Sequence, residues 1–186
     1  LGNPTVGALE ARLTALEEGA MCVALSSGTS AVMYSLINIM SQGDNFVTAN
    51  QLYGGTYTMF DNILPEYGIN SKKVDITDLE AVEAAIDEKT RAIYCETITN
   101  PGLVVADISA LADIAHSKGI PLIVDATFTT SAILKPFEYG ADIVVYSLTK
   151  WMSGHGRVIA GAVIEKGGFD WGNGNFPLYD KPDTSY

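Results

Sequence analysis

Lys150 follows the apolar, β-branched run Ile143-Val144-Val145-Tyr146 by way of Ser147, Leu148 and Thr149. A lysine at the end of a buried strand, with no acidic neighbour in sequence, is drawn out of water; this disfavours the ammonium form and exposes a nucleophilic amine. That is the chemistry of a Schiff-base lysine. The ordinary alternative is a strand-end lysine whose stem is buried and whose ammonium reaches solvent. Asp125 ends a second apolar run, Ile120 to Val124, so its carboxylate emerges at a strand end and needs a partner. Ser26-Ser27-Gly28-Thr29-Ser30 lies between an apolar run and a helix. The N–H groups of a helix N-terminus bind anions, and Gly28 lets a ligand approach the backbone. The same residues also suit ordinary helix capping. Tyr53, Glu96 and Asn100 complete the set. Each has a structural reading beside the functional one: a core or turn aromatic, a strand-end carboxylate, and a turn former before Pro101. His155, between two glycines, has no companion ligands, so it reads as loop structure and no metal site is expected.

These residues need a frame that brings them to one place. Val6, Leu9, Leu13 and Leu16 have helical spacing over 4–18, with Pro4 in the first turn and Gly19 past the end. Strands are predicted at 21–25, 45–49, 73–76, 91–97, 120–124, 142–147 and 159–165. Between them fall helices over 31–40, from the Gly54-Gly55 turn to about Tyr67, from a capping box at Thr77-Asp78-Leu79-Glu80 to Glu88, and over 108–118 behind Asp107. Strand–helix alternation of this kind predicts an α/β fold, a mainly parallel seven-stranded sheet flanked by helices. In such sheets ligands bind at the carboxyl ends of the strands, and every residue singled out above maps to that edge.

Composition sets the outer limits. The 186 residues are 47% hydrophobic, enough for one good core. Lys and Arg number 11 against 22 Asp and Glu, which argues against a nucleic-acid partner. No apolar run approaches the ~20 residues of a membrane span. Cys22 and Cys95 each sit in a predicted strand as apolar fillers, which fits a reducing, cytoplasmic setting. Leu1 is not a methionine and the stretch from Trp171 is loop-like, so the chain is expected to be cut from a longer protein.

One ligand uses all the candidate groups at once, pyridoxal 5'-phosphate. Lys150 forms the internal Schiff base and Asp125 holds the pyridine nitrogen protonated. Gly28 and Thr29 offer N–H groups to the phosphate, Ser147 and Thr149 add hydroxyls that strand alternation places on one side, and Tyr53 stacks on the ring.

On these residues the chain resembles the fold-type I, pyridoxal-phosphate-dependent enzymes of cysteine and methionine metabolism, which include cystathionine synthases and lyases, methionine γ-lyase and O-acetylhomoserine sulfhydrylase. The resemblance runs through Gly2-Asn3-Pro4-Thr5, Ser27-Gly28-Thr29-Ser30-Ala31, Leu52-Tyr53-Gly54-Gly55-Thr56, Glu96-Thr97 with Asn100-Pro101, Val124-Asp125-Ala126-Thr127-Phe128, and Ser147-Leu148-Thr149-Lys150 with Gly154-His155-Gly156. Gly168-Phe169-Asp170-Trp171, Phe176-Pro177 and Pro182-Asp183-Thr184-Ser185-Tyr186 are most similar to the O-acetylhomoserine sulfhydrylase branch. The resemblance implies an aspartate-aminotransferase-like large domain over 1–170, with 171–186 a loop leading to a missing C-terminal part. It implies Lys150 and Tyr53 as catalytic residues. Cofactor contacts would come from Ser27, Gly28, Thr29, Tyr53, Asp125, Thr127, Ser147, Thr149 and Lys150, with Glu96 and Asn100 supporting the cofactor's side groups. It further implies γ-replacement on O-acetylhomoserine by sulfide or a thiol, giving homocysteine or methionine, in a homotetramer built from dimers with shared sites.

Three departures bear on this expectation. Ala126 stands where most relatives have asparagine, and Arg157 where small or polar residues are usual. The family's Tyr-x-Arg element would precede Leu1. Its arginine for the substrate carboxylate belongs to the C-terminal domain, and Arg12, Arg91 and Arg157 do not match that position. Alternatives therefore stay open: a methionine or cystathionine γ-lyase, a catalytically incompetent fragment that keeps only the cofactor domain, or a doubly wound nucleotide-binding domain. Against the last, no Gly-x-Gly-x-x-Gly or Gly-x-x-x-x-Gly-Lys-Ser/Thr pattern occurs.

Overall fold

Seven short strands, all but one of them largely apolar, pair into one sheet in the order β1-β7-β6-β5-β4-β2-β3, where β1 is Met21–Leu25, β2 Asn45–Ala49, β3 Asn70–Val74, β4 Thr90–Glu96, β5 Leu122–Asp125, β6 Ile143–Ser147 and β7 Gly161–Glu165. The computed structural model describes residues 2–179; Leu1 and 180–186, with the Pro182-Asp183-Thr184-Ser185-Tyr186 pattern, lie outside the described residues. β2, β3, β4, β5 and β6 pair in parallel, while β7 runs antiparallel between β1 and β6. Every residue of β2 and β4 is buried, as expected for strands covered on both faces. Phe46, Phe60 and Tyr94 meet edge to face beside these strands, with centroids 4.7 and 5.2 Å apart.

The helices follow their caps. Asn3 accepts N–H groups of Thr5 and Val6 to open α1, Pro4–Glu17. Ser27 accepts the N–H of Ser30 to open α2, Gly28–Ile37. Asp78, not Thr77, accepts the N–H of Ala81 at the start of α4, Leu79–Ala85, so the expected box sits one residue late. The acceptor there is a charged carboxylate, which binds a helix N-terminus well. Asp107 caps α5, Ile108–Ser117, as predicted.

Other boundaries moved. The helix expected over 54–67 is three pieces: α3, Gly54–Thr58, a π-helical turn at Met59–Ile63 and a 3-10 turn at Leu64–Tyr67. Pro65 lacks an N–H and cannot continue an α-helical ladder. The third strand starts at Asn70 and ends at Val74, because pairing with β2 begins at Asn45↔Asn70 and runs through the polar Ser71-Lys72-Lys73. The expected Ile76 is buried just beyond it. A short α6, Thr130–Ile133, and a 3-10 turn at Pro136–Tyr139 fill a segment in which no element was expected. Residues 171–179 are irregular, as read from sequence, yet they are docked: Phe176 is fully buried, Trp171 stacks near it, and Asn173 and Asn175 bond the carbonyls of Lys118 and Gly119.

Candidate active site

The carboxyl ends of the parallel strands surround a cleft of about 730 Å³, and all eleven residues proposed from sequence line it. β1 delivers Ser27, Gly28 and Thr29, β2 delivers Tyr53, β4 Glu96 and Asn100, β5 Asp125 and Thr127, and β6 Ser147, Thr149 and Lys150.

The first turn of α2 is pressed onto the end of β6. A Cβ on Gly28 would lie 2.5 Å from Ser147 Cβ and 2.8 Å from its Cα. Only glycine permits that approach. Ser27 uses its hydroxyl on the N–H of Ser30, and the N–H groups of Gly28 and Thr29, in the first turn, have no intrahelical acceptor. They face the cleft together with the hydroxyl residues Ser147 and Thr149. Strand alternation does not explain Thr149, because β6 ends at Ser147. A turn carries it instead, and its hydroxyl bonds both the carbonyl and the N–H of Ala160 at 3.3 and 3.2 Å.

Asp125 lies opposite Glu96 in the β4–β5 register. Its Oδ1 accepts the N–H of Thr127 at 2.9 Å and its Oδ2 the hydroxyl of Tyr94 at 3.3 Å. Burial raises its carboxyl above the usual range, and the bonds from Thr127 and Tyr94 offset this only in part. Tyr94 was not anticipated, although its position two residues before Glu96 places both on one face of β4. Burial first, then the carboxylates of Asp125 and Glu96, hold its hydroxyl well above the ordinary value, so it remains a donor. Thr127 also accepts the N–H of Ser147 at 2.7 Å, tying β5 to β6 across the floor.

Glu96 is buried, and both its oxygens face main chain: Oε1 accepts the N–H of Tyr53 at 2.7 Å and Oε2 that of Asn100 at 3.0 Å. Burial pushes this carboxyl up to about 7, with Asp125 adding to the rise. Tyr53 lies half exposed over Gly55, where an added Cβ would come within 2.7 Å of the ring. The Asn100–Pro101 peptide is cis.

Lys150 is exposed on the cleft wall, so the loss of water expected at a strand end is not a property of the open cleft. Strand β6 stops three residues earlier, and the turn lifts the side chain off the sheet. No carboxylate pairs with it among the described residues. Trp151, Phe128 and Ile159 give the mouth an apolar lip that sequence reasoning did not single out. Phe128 belongs to the Val124-Asp125-Ala126-Thr127-Phe128 stretch, which is the sequence signal for it. Of the three arginines, Arg91 is buried in an ion pair with Asp44 at 3.1 Å, while Arg12 and Arg157 are exposed. Ala126 is fully buried under the cleft floor.

The donor set suits pyridoxal phosphate. Free N–H groups and hydroxyls match a phosphate, a carboxylate that has no cationic partner among the described residues matches a protonated ring nitrogen, and the Lys150 amine lines the same cleft.

The Cys/Met metabolism PLP-dependent enzyme family matches residues 1–179. The chain belongs to this family. Among relatives, the O-acetyl-L-homoserine sulfhydrylase of Leptospira meyeri is 45% identical over 186 residues, all of this chain and 42% of that protein. A structure assigned as an O-acetylhomoserine (thiol)-lyase from Campylobacter jejuni is 39% identical with a TM-score of 0.96, covering 99% of this chain and 46% of the other. That structure carries a pyridoxyl-lysine monophosphate. Cystathionine γ-lyase from Lactobacillus plantarum, complexed with L-serine, is 42% identical with a TM-score of 0.85, covering 89% and 43%. The chain thus spans less than half the length of the relatives it matches. Fold-type I architecture is common to the family and the chain, including the mostly parallel sheet.

Proposed function

We propose that the protein binds pyridoxal phosphate on Lys150 and serves γ-replacement on O-acetylhomoserine by sulfide or a small thiol, giving homocysteine or methionine. The observation that carries this reading is the convergence of an unpaired lysine, a partly buried aspartate and a free helix N-terminus on one cleft. Bound pyridoxal phosphate supplies a carbonyl carbon for amines and a ring that withdraws electrons from the carbon beside them. Lys150 Nζ would hold the cofactor, and as a free amine it would serve as base and acid for protons on neighbouring substrate carbons. Asp125 keeps a proton on the ring nitrogen, its own orientation set by Thr127 and Tyr94. The N–H groups of Gly28 and Thr29, with the hydroxyls of Ser27 and Ser147, would take the phosphate, joined by the Thr149 hydroxyl when it turns its proton from the Ala160 carbonyl, and Tyr53 would cover the ring.

Similarity to cystathionine γ-lyase supports a second reading, γ-elimination, on the same residues. A fragment that keeps the cofactor domain but turns nothing over is the third. We place the domain at 1–170, the parent as a homo-oligomer in the cytoplasm, and its partners as a small amino acid and sulfide or a thiol. Among the described residues no helix is long and apolar enough to cross a membrane.

The test is borohydride reduction of the protein mixed with pyridoxal phosphate, followed by peptide mass mapping. The adduct is expected on Lys150 and is lost in Lys150→Ala; an adduct spread over surface lysines, or retained in the variant, defeats the assignment. Adding O-acetylhomoserine with and without sulfide then separates replacement, elimination and no turnover.

A further inference from the structure

Glu96 reaches across the cleft wall in a way that cofactor contact does not explain. Its two oxygens are each turned to a main-chain N–H, one in the segment after β2 and one in the segment after β4. Those segments touch again where a Cβ on Gly102 would strike the side chain of Gln51, 1.5 Å from its Oε1. The hydroxyl of Thr99 accepts the N–H of Val104, closing the second segment on itself. Beside Glu96 on β5 stands Asp125, whose oxygens are taken by Thr127 and Tyr94 and give Glu96 nothing.

We infer that Glu96 is a positioning residue: its carboxylate braces the Tyr53 and Asn100 segments into one rigid wall and acts on the bound cofactor only through them. A carboxylate suits this role because it offers acceptor capacity on both oxygens and donates nothing when ionised. An amide of the same size has one accepting oxygen, and its NH₂ would oppose the second N–H. The consequence for the cofactor rests on the pyridoxal phosphate reading above, whereas the brace itself does not.

Hydrogen exchange tests the brace without any cofactor. The amides of Tyr53 and Asn100 are expected to be protected in the wild-type protein and to exchange roughly tenfold faster or more in Glu96→Ala, as loss of a hydrogen bond to a buried carboxylate implies. Equal rates in the two proteins overturn the brace. Glu96→Gln keeps the volume and guards against general unfolding, which circular dichroism reports. Its affinity for pyridoxal phosphate is expected to fall by roughly tenfold, although a merely space-filling role would leave it unchanged; wild-type affinity overturns the inference. The loss should also be less than additive with that of Tyr53→Ala, because one acts through the other. Full additivity removes the link to Tyr53. If wild type itself fails to take the cofactor on Lys150, the proposed function falls, and the exchange rates still decide the brace.

Discussion

Gly28→Ala is the smallest change that separates the phosphate turn from the rest of the fold. The new methyl would sit 2.5 Å from Ser147 Cβ, 2.8 Å from its Cα and 2.8 Å from its Oγ. Two of those neighbours belong to the end of a buried strand and cannot swing aside. The Ser27 carbonyl is just as close to the neighbouring strand, 2.0 Å from where a Cβ on Gly161 would be, so relief requires the whole turn to lift off the sheet. Overpacking of this sort costs ~1–3 kcal/mol. Alanine regains at most about 1 kcal/mol as a better helix former, so a net loss of up to about 2 kcal/mol is expected in urea unfolding. Displacing the turn also moves the N–H groups of Gly28 and Thr29, whose bonds to a charged phosphate are worth ~1.5–3 kcal/mol each. Pyridoxal phosphate affinity should therefore fall at least about tenfold. Gly55→Ala is the control: the atoms nearest its methyl all belong to the Tyr53 ring, a side chain that can turn, and stability should change little. Wild-type stability and affinity in Gly28→Ala would refute the steric reasoning.

Two further outcomes concern buried carboxyls. An unfolded glutamate titrates near 4.5, while folded Glu96 is pushed up to about 7, so the stability tied to this group is fully present below pH 4.5 and declines as pH rises to 7. The decline amounts to about 3 kcal/mol, and unfolding curves from pH 4.5 to 8 should show it in wild type but not in Glu96→Gln. Glu17 is fully buried at the end of α1, accepts the Tyr146 hydroxyl at 2.5 Å on Oε1, and has no partner for Oε2. Burial raises its carboxyl, so its contribution also weakens as pH rises above 4.5. Tyr146→Phe removes the donor and should cost ~1–3 kcal/mol at pH 8, with a smaller loss at pH 4; an equal loss at both values would rule out the ionised carboxyl as the cause.

The frame of this site was legible because its signals are local. The Ser27 cap, the Asp107 cap, the apolar run ending in Asp125 and the turn after Tyr53 each encode an element end within a few residues; α5 opens behind Asp107 as expected, while α2 opens at Gly28, three residues before its expected start, and β5 runs one residue past its expected end to Asp125. What could not be read depends on contacts between distant segments. Nothing near Tyr94 says that its hydroxyl meets Asp125, and nothing near Glu96 says that both oxygens are spent on loops 43 residues back and four ahead. Lys150 failed differently. A buried strand suggested a desolvated amine, but strand length is set by pairing, and β6 stops at Ser147 opposite Gly161. The turn then carries the lysine out to the cleft.

That turn also explains why residues 120 positions apart in sequence come to share a site. β7 is the antiparallel member of the sheet, so its first residue, Gly161, lies at the carboxyl edge of β1 on one side and β6 on the other. The connection from β6 must therefore stay at that edge, and it carries Thr149, Lys150 and the Gly154-His155-Gly156 turn across the cleft. β1, beyond β7, sends α2 back over β7 and β6 toward β2 on the far side of the sheet. The N-terminus of α2 consequently opens above Ser147 rather than above its own strand. Gly28 and Gly161 admit this crossing, one facing Ser147 and the other the Ser27 carbonyl. A side chain at either position would lift the phosphate turn away from the lysine. One reversed strand thus does what a fully parallel sheet would not: it brings a helix N-terminus and the turn that carries Lys150 to the same cleft.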